Sequence, residues 1–284
     1  MKRLIVTADD FGLAEPVNEA IVEGHRNGIL TTASLMVSGA AAGDAVERVR
    51  SQPSLRVGLH LVVVEGRPVL PPDEVPDLVD CSGAFSTRLT RAGLNFFFRP
   101  AARRQLEKEI RAQFEAFMKT GLELDHVNAH NHMHLHPTIL SLILKLGPEF
   151  GLRAVRVPYE PPLLSWRASR QGLGAKLSWG IFLFPWMRLM KSRLRRNAIR
   201  CNDRIFGMAD SGRMTPDLVL AFVREIPRGV TEMYFHPAVR RCPEIDRTMP
   251  DYQHENEFRA LTSRTIKQEL QRQGIQRIAF RELG

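Results

Sequence analysis

Cysteine is scarce in this chain, and apolar runs long enough to cross a membrane are missing from it. The three cysteines, Cys81, Cys201 and Cys242, lie far apart, are odd in number and form no Cys-x-x-Cys pair. That spacing excludes a disulfide framework and a thiolate metal knuckle, and it fits a reducing cytoplasm. Repeats and low-complexity tracts are also lacking, which sets aside solenoids and disordered arrays. The start, Met1 to Asp10, holds too few apolar residues before its two acids for the core of a secretory signal, so it reads as a first strand. Acids are absent from residues 161–202, where nine cations stand: Arg167, Arg170, Lys176, Arg188, Lys191, Arg193, Arg195, Arg196 and Arg200. The formal charge of the whole chain is +9, so the rest of it is balanced. A basic excess confined to one stretch argues against nucleic acid as the partner.

What is present is ordinary globular composition, 44% hydrophobic and 25% charged over 284 residues, enough for one large core. A single domain spanning 1–284 is expected. Strand-like runs alternate with amphipathic stretches, the pattern of βα units. Strands are expected at Arg3–Ala8, Ser34–Val37, Arg56–Leu61, His126–His130, Ala154–Val157, Glu232–His236 and Gln276–Phe280. The fold class is α/β, a deformed TIM-like (β/α) barrel with an insertion around 161–202. Leu106, Ile110, Phe114, Phe117 and Met118 repeat at helical spacing, with Arg103, Lys108, Glu109 and Arg111 off that face. Thr215 before Pro216 and Asp217 signals a helix start, and Gly274 after Ser263–Gln273 a helix end. Pro68–Pro76 and 161–202 read as long loops or insertions.

Barrel chemistry sits at the C-terminal ends of the strands. The polar residues there are Asp9 and Asp10, His60, His130 and His236. Singly, each has a plain structural explanation, since an Asp at a strand end caps a turn. The densest signal is His126, His130, His132, His134 and His136. Nine histidines in 284 residues predict about 0.35 per eleven-residue window, against five here, a bias of the kind metal sites show. All are at even positions, so an extended segment projects them to one face. Pro137 starts a helix, which leaves His134 and His136 to hold the loop or stand behind the metal ligands. One carboxylate with two neutral imidazoles suits a divalent ion and leaves coordination positions open. A hydrolytic site follows, with a second carboxylate to take the water's proton. Asp9 and Asp10 can divide these tasks only if the backbone bends, which Gly12 permits.

Ala8-Asp9-Asp10-Phe11-Gly12, Asn27-Gly28-Ile29, Gly58-Leu59-His60-Leu61, His130-Asn131-His132-Met133-His134 and Phe235-His236-Pro237 resemble, in order and over nearly the whole chain, the YdjC/ChbG-like family of carbohydrate deacetylases. The resemblance implies Asp10, His60 and His130 as metal ligands, Asp9 as general base and His236 as the acid for the leaving amine. It also implies a place near Asp9 or the substrate for Arg156, with His132 and His134 behind the ligands or on the substrate. The resemblance implies one divalent ion, Zn2+ or Mg2+. Many family members have Asp-Ser where this chain has Asn128-Ala129, which removes a carboxylate that would tune the metal.

Leu177–Met187 is uncharged, carries Trp179, Phe182, Phe184 and Trp186, and is flanked by cations. Eleven residues cannot span a bilayer, which needs about 20, but they can lie on an anionic one, so peripheral contact through 173–196 is expected, at the inner face of the membrane. A buried helix is the alternative. With the deacetylase motifs this insertion resembles the hopanoid-associated branch, HpnK, and implies an N-acetylglucosaminyl lipid, or a related N-acetyl sugar, as substrate. A metal-dependent phosphoesterase and a non-catalytic metal- or lipid-binding protein are the competing functions. Oligomeric state, a homodimer included, is left open.

Overall fold

The computed structural model describes residues 1–283, and its central element is the ten-residue strand β1, Lys2–Phe11. Along the chain follow α1 (Glu15–Arg26), β2 (Thr32–Leu35), α2 (Ala42–Arg50), β3 (Arg56–Leu61), α3 (Leu89–Phe98), α4 (Pro100–Lys119), β4 (Leu124–Ala129) and α5 (Pro137–Leu146). Then come α6 (Pro162–Ser169), α7 (Leu173–Arg196), β5 (Arg204–Phe206), α8 (Pro216–Glu225), β6 (Gly229–Phe235), α9 (Pro243–Thr248), α10 (His254–Leu261), α11 (Arg264–Arg272) and β7 (Gln276–Arg277). The strands form one parallel sheet in the order β4-β3-β2-β1-β6-β5, with β7 beside the start of β1. The sheet curls, and the extended segment 154–159 joins its two edges. Arg156 N–H donates to the Val127 carbonyl, Val155 N–H to Arg200, and Ile205 N–H to Tyr159. The result is the deformed α/β barrel that the alternating pattern called for.

That closing segment is where a strand Ala154–Val157 was expected. It makes only single bridges, Val127 with Val155 and Ala154 with Arg200, because Pro158, Pro161 and Pro162 follow and cannot donate to a ladder. The expected strand Gln276–Phe280 shortens to β7, as Ala279–Glu282 turns and caps itself through Glu282 Oε2 on the Ala279 N–H. β5, three residues long, is too brief to leave a period in the sequence.

In α4, Leu106, Ile110, Phe114 and Phe117 are fully buried, each worth about 1.5–3 kcal/mol relative to exposure. Met118 is not part of this face; it is 45% exposed. Glu109 is fully buried instead of facing water. Its carboxylate accepts the N–H groups of Val69 and Leu70 and the Gln113 amide, which ties the proline-rich loop to the barrel. Thr215 caps α8, with its hydroxyl accepting Leu218 N–H, and Ser263 caps α11 in the same way through Ile266 N–H.

Residues 161–202 are mostly helical, not loop. Leu, Ala, Met, Lys and Arg favour helix, and α7 runs 24 residues through Pro185. Its C-terminal half buries Met187, Met190 and Leu194 in the core. The other half exposes Trp179, Ile181, Phe182 and Phe184, so the apolar stretch is not a buried helix. No helix of the described residues is long and apolar enough to cross a membrane.

Candidate metal centre

Strand parity aims a set of polar side chains into the barrel. Thr7 and Asp9 on β1, Glu232 and Tyr234 on β6, Ser34 on β2, and His126 and Asn128 on β4 all share hydrogen bonds or ring contacts inside. Register sets their neighbours: Ala8 pairs with Phe235, which brings His236 beside Asp9, and His60 pairs with Asn128. Asp10 should point away from Asp9. It does not, because its own φ is +60°, in the left-handed region, and the β1–β2 register shifts between Ala8 and Phe11. Asp is among the residues that tolerate this conformation. The bend expected at Gly12 therefore begins two residues earlier, at Asp10 itself.

Asp10, His60 and His130 meet, all buried, with one potential ligand atom each within 4.8 Å of the others. His60 Nε2 is 3.3 Å and His130 Nδ1 3.2 Å from Asp10 Oδ1. Asp10 Oδ2 and His60 Nε2 are buried with no hydrogen-bond partner. Buried polar atoms rarely stay unpaired, and a carboxylate oxygen beside an imidazole lone pair is what a divalent cation satisfies. The residues fit such an ion. His60 is oriented for it, since Nδ1–H donates to Asn128 Oδ1 at 2.7 Å and leaves Nε2 free. Asn128 donates in turn to Asp9 Oδ1 and Ser34 Oγ, each at 2.9 Å. The amide thus takes over the orienting task of the carboxylate that the sequence lacks at this position.

Arg156 is fully buried and divides its donors between two carboxylates. Nη1 and Nη2 reach Asp9 at 2.5 and 3.0 Å, while Nε and Nη2 reach Glu232 Oε1 at 2.8 and 2.7 Å. Its guanidinium lies 4.8 Å from the Tyr234 ring centroid. Burial works against the charge on Asp9, but the Arg156 guanidinium outweighs it and holds that carboxyl well below the usual range. Asp9 Oδ1 accepts two donors and Oδ2 one, so Oδ2 keeps a lone pair for a further proton.

Of the other histidines, His126 is structural. It lies between Asp125 and Ser34 and stacks on Phe280 at 4.3 Å between ring centroids. Its ring fills the space over Gly58, where a Cβ would sit 2.4 Å from Nδ1. The expected even-position alignment ends at Asn131 and His132, both left-handed with φ of 51° and 53°. That turn carries His132 Nε2 to the Tyr234 hydroxyl at 3.1 Å. His134 is fully buried with neither ring nitrogen bonded, and burial pushes its pKa well below the ordinary value. His136 caps α5 through Nδ1 on Thr138 N–H. His236 has a buried, unpaired Nδ1, and burial pushes it down to about 4 against the pull of Asp10 and Asp9. Its backbone is fixed on both sides, N–H by Glu257 and carbonyl by His254 Nδ1–H.

Several residues at the site left little trace in the sequence. Glu65 stands 3.7 Å from His130 Nε2 and accepts Asn131 at 2.6 Å, yet it lies four residues beyond β3. Glu232 and Tyr234 share parity with His236, which was the available signal.

Among known proteins, the family model described as YdjC-like protein matches residues 3–272. A protein named carbohydrate deacetylase from Brevibacillus brevis is 31% identical over 99% of this chain and all of its own. One of the same name from Geobacillus stearothermophilus is 29% identical over 98% of this chain and 96% of its own. A crystal structure from Enterococcus faecalis V583, provisionally described as a cellobiose-phosphate cleavage protein, superposes with a TM-score of 0.77 at 25% identity, covering 100% of this chain and 99% of that one. The shared barrel and the match along almost its whole length place this chain in the YdjC-like family.

Proposed function

We propose that the protein is a metal-dependent carbohydrate deacetylase that removes the N-acetyl group of an N-acetylglucosaminyl glycolipid of the hopanoid type. The observation that carries the reaction class is the buried group Asp10, His60 and His130 standing next to the Asp9–Arg156 pair. Among the described residues this is the one such group, whereas a multi-metal phosphoesterase needs more ligands. A divalent ion held there supplies a Lewis acid for the amide carbonyl and lowers the pKa of water, and the two imidazoles favour zinc or another transition ion.

The chain's own residues do the rest. Asp9 takes the water's proton at Oδ2 while Arg156 keeps the carboxylate ionised and aimed. Water oxygen bonds to the acetyl carbon, the C–N bond breaks, and acetate and a free amine leave. His236 delivers a proton to the nitrogen. Because it is neutral at rest, the proton it donates is the one Asp9 took from water, passed on from Asp9 after attack, which returns Asp9 to its carboxylate form and His236 to its neutral form. Tyr234 and His132, joined to each other, bound the space on the β6 side.

The lipid half of the proposal is supported by surface chemistry. α7 exposes Trp179, Ile181, Phe182 and Phe184 within the acid-free 161–202. A second acid-free stretch, 81–106, carries Arg88, Arg91, Arg99, Arg103 and Arg104. There α3 exposes Leu94, Phe97 and Phe98. This stretch leaves the sheet at the His60 end of β3, with Glu65 N–H on Ser86 O, so it borders the same mouth. Aromatic side chains with arginines suit an anionic membrane surface. Vesicles containing an N-acetylglucosaminyl lipid should yield acetate and free amine with wild type and none with Asp9→Asn at unchanged metal content. Preference for soluble chitooligosaccharides would overturn the substrate, and inactivity on every N-acetyl sugar would overturn the reaction. Phe97→Ser with Phe98→Ser, or Trp179→Ser with Phe182→Ser, should each weaken sedimentation with anionic liposomes; deleting α7 is unsuitable because Met187, Met190 and Leu194 belong to the core.

A further inference from the structure

Between the α6–α7 hairpin and the loops after residue 157 and after β5 lies a cavity of about 570 Å³, bounded by Pro158, Tyr159, Pro162, Trp179, Leu183 and Met208 among others. Its size is that of a ligand pocket, roughly 300–1,000 Å³. Three of the four charged groups in its wall, Lys176, Asp210 and Glu160, are held by partners within it, while the fourth, Arg213, is exposed. Lys176 Nζ donates to Asp210, Ser165 and Ser169 at 2.8, 2.7 and 2.8 Å, which uses its three protons. Glu160 accepts the N–H groups of Met208 and Ala209 on one oxygen and the Ser165 hydroxyl on the other. With those three groups paired internally and Arg213 exposed to solvent, the wall offers a guest mainly hydrophobic surface. Trp179 lines this space yet is 62% exposed, so one side of the pocket is an aromatic surface without a cover of its own.

The cavity is one loop away from the catalytic group. Residues 207–213 put Met208, Ala209, Asp210 and Arg213 on the cavity. From the same loop, Gly207 lies against Tyr234, where an added Cβ would come within 3.4 Å of the ring, and Ser211 bonds the Tyr252 hydroxyl at 3.0 Å. Tyr252 in turn packs on His236, with ring centroids 5.1 Å apart. On the other wall, Pro158 is two residues from Arg156, which holds Asp9.

From this adjacency we infer that the cavity is a subsite for the apolar group attached to the sugar, an aliphatic or polycyclic aglycone, and that it selects glycolipids over free sugars. The inference rests on the deacetylase reading for its place in catalysis, but its binding test does not depend on turnover. Octyl glucoside, which has no amide to hydrolyse, is titrated calorimetrically into the metal-loaded protein below its micelle-forming concentration, with glucose as control. Saturable binding of octyl glucoside with a negative heat-capacity change, no heat from glucose, and at least tenfold weaker binding in Ala175→Trp, which fills the cavity, and in Leu183→Asn, which wets its wall, are expected. Circular dichroism verifies that each variant is folded, and either one that folds suffices. Absent binding, or binding equal in wild type and the folded variant, would overturn the subsite. In wild type, kcat/KM for octyl N-acetylglucosaminide should exceed that for the methyl glycoside by roughly tenfold or more. Equal values on an active enzyme would overturn the selectivity while sparing the deacetylase assignment, and inactivity on both would strike the assignment instead.

Discussion

Replacing Arg156 by methionine measures what the buried charge network contributes. The guanidinium is fully buried and reaches Asp9 and Glu232, both buried, through four contacts of 2.5–3.0 Å. Methionine fills a similar volume but leaves two carboxylates inside the barrel with only Asn128 and Thr7 as donors. Removing one partner of a buried ion pair costs about 3–5 kcal/mol. At roughly 2–4 °C per kcal/mol for chains of this order of size, Tm should fall by about 10 °C. The loss should be mainly stranded charge, so adding Glu232→Gln to Arg156→Met should recover about 1 kcal/mol or more, although Glu232→Gln alone destabilises. Arg156→Lys, which keeps the charge but not the fork, should fall between. Calorimetric unfolding of the four variants and wild type at one pH makes the comparison. A loss below about 1 kcal/mol in Arg156→Met, or no recovery in the double variant, would refute the reasoning, because the carboxylates would then not depend on this guanidinium.

Asn128→Ala removes the acceptor for His60 Nδ1–H and the donor to Asp9; metal affinity of the folded variant, measured by competitive chelation, should fall about 10- to 100-fold, with a lower Tm because buried partners are left unpaired, and an unchanged affinity would show that His60 needs no such partner. Burial pushes Glu257 up to about 7 from its usual 4.5, against backbone donors that include His236 N–H. A carboxyl whose folded-state pKa is raised contributes stability that is complete below the unfolded value and is lost as pH rises through the folded one. The Glu257 contribution should therefore decline between about pH 4.5 and 7 by up to a few kcal/mol, against the buried neutral histidines, whose lowered pKa values act in the opposite direction; Glu257→Gln should make the change of stability with pH over that range more positive than in wild type, and equal slopes in chemical unfolding would contradict the assignment.

The barrel was legible because alternation of apolar and amphipathic stretches survives in every long element. β1, β3, β4 and β6 were found with the candidate site residues Asp10, His60, His130 and His236 at their ends, since a polar residue after an apolar run stands out. The segment 154–157 misled, because its period-2 pattern reflects burial in the barrel wall and not a ladder. Asp10 shows a different limit. Its place among the candidate ligands was readable from the resemblance, but its direction depends on a φ of +60° that no composition rule assigns to an aspartate in a strand. Glu109 and Glu232 were passed over for one reason: charge in sequence reads as surface, while in the fold each is buried against specific donors. The exposed aromatics of α3 escaped notice because Leu106 and its neighbours supply the stronger helical period directly after them.

The most direct measurement is an anomalous-scattering crystal structure of the metal-loaded protein collected at the ion's absorption edge, with the Asp10→Asn variant alongside. A single peak about 2.0–2.3 Å from one atom each of Asp10, His60 and His130, lost in Asp10→Asn without a change of fold, is the expected result. A peak elsewhere, or full occupancy retained in Asp10→Asn, would contradict the shared site on which the proposed hydrolysis depends.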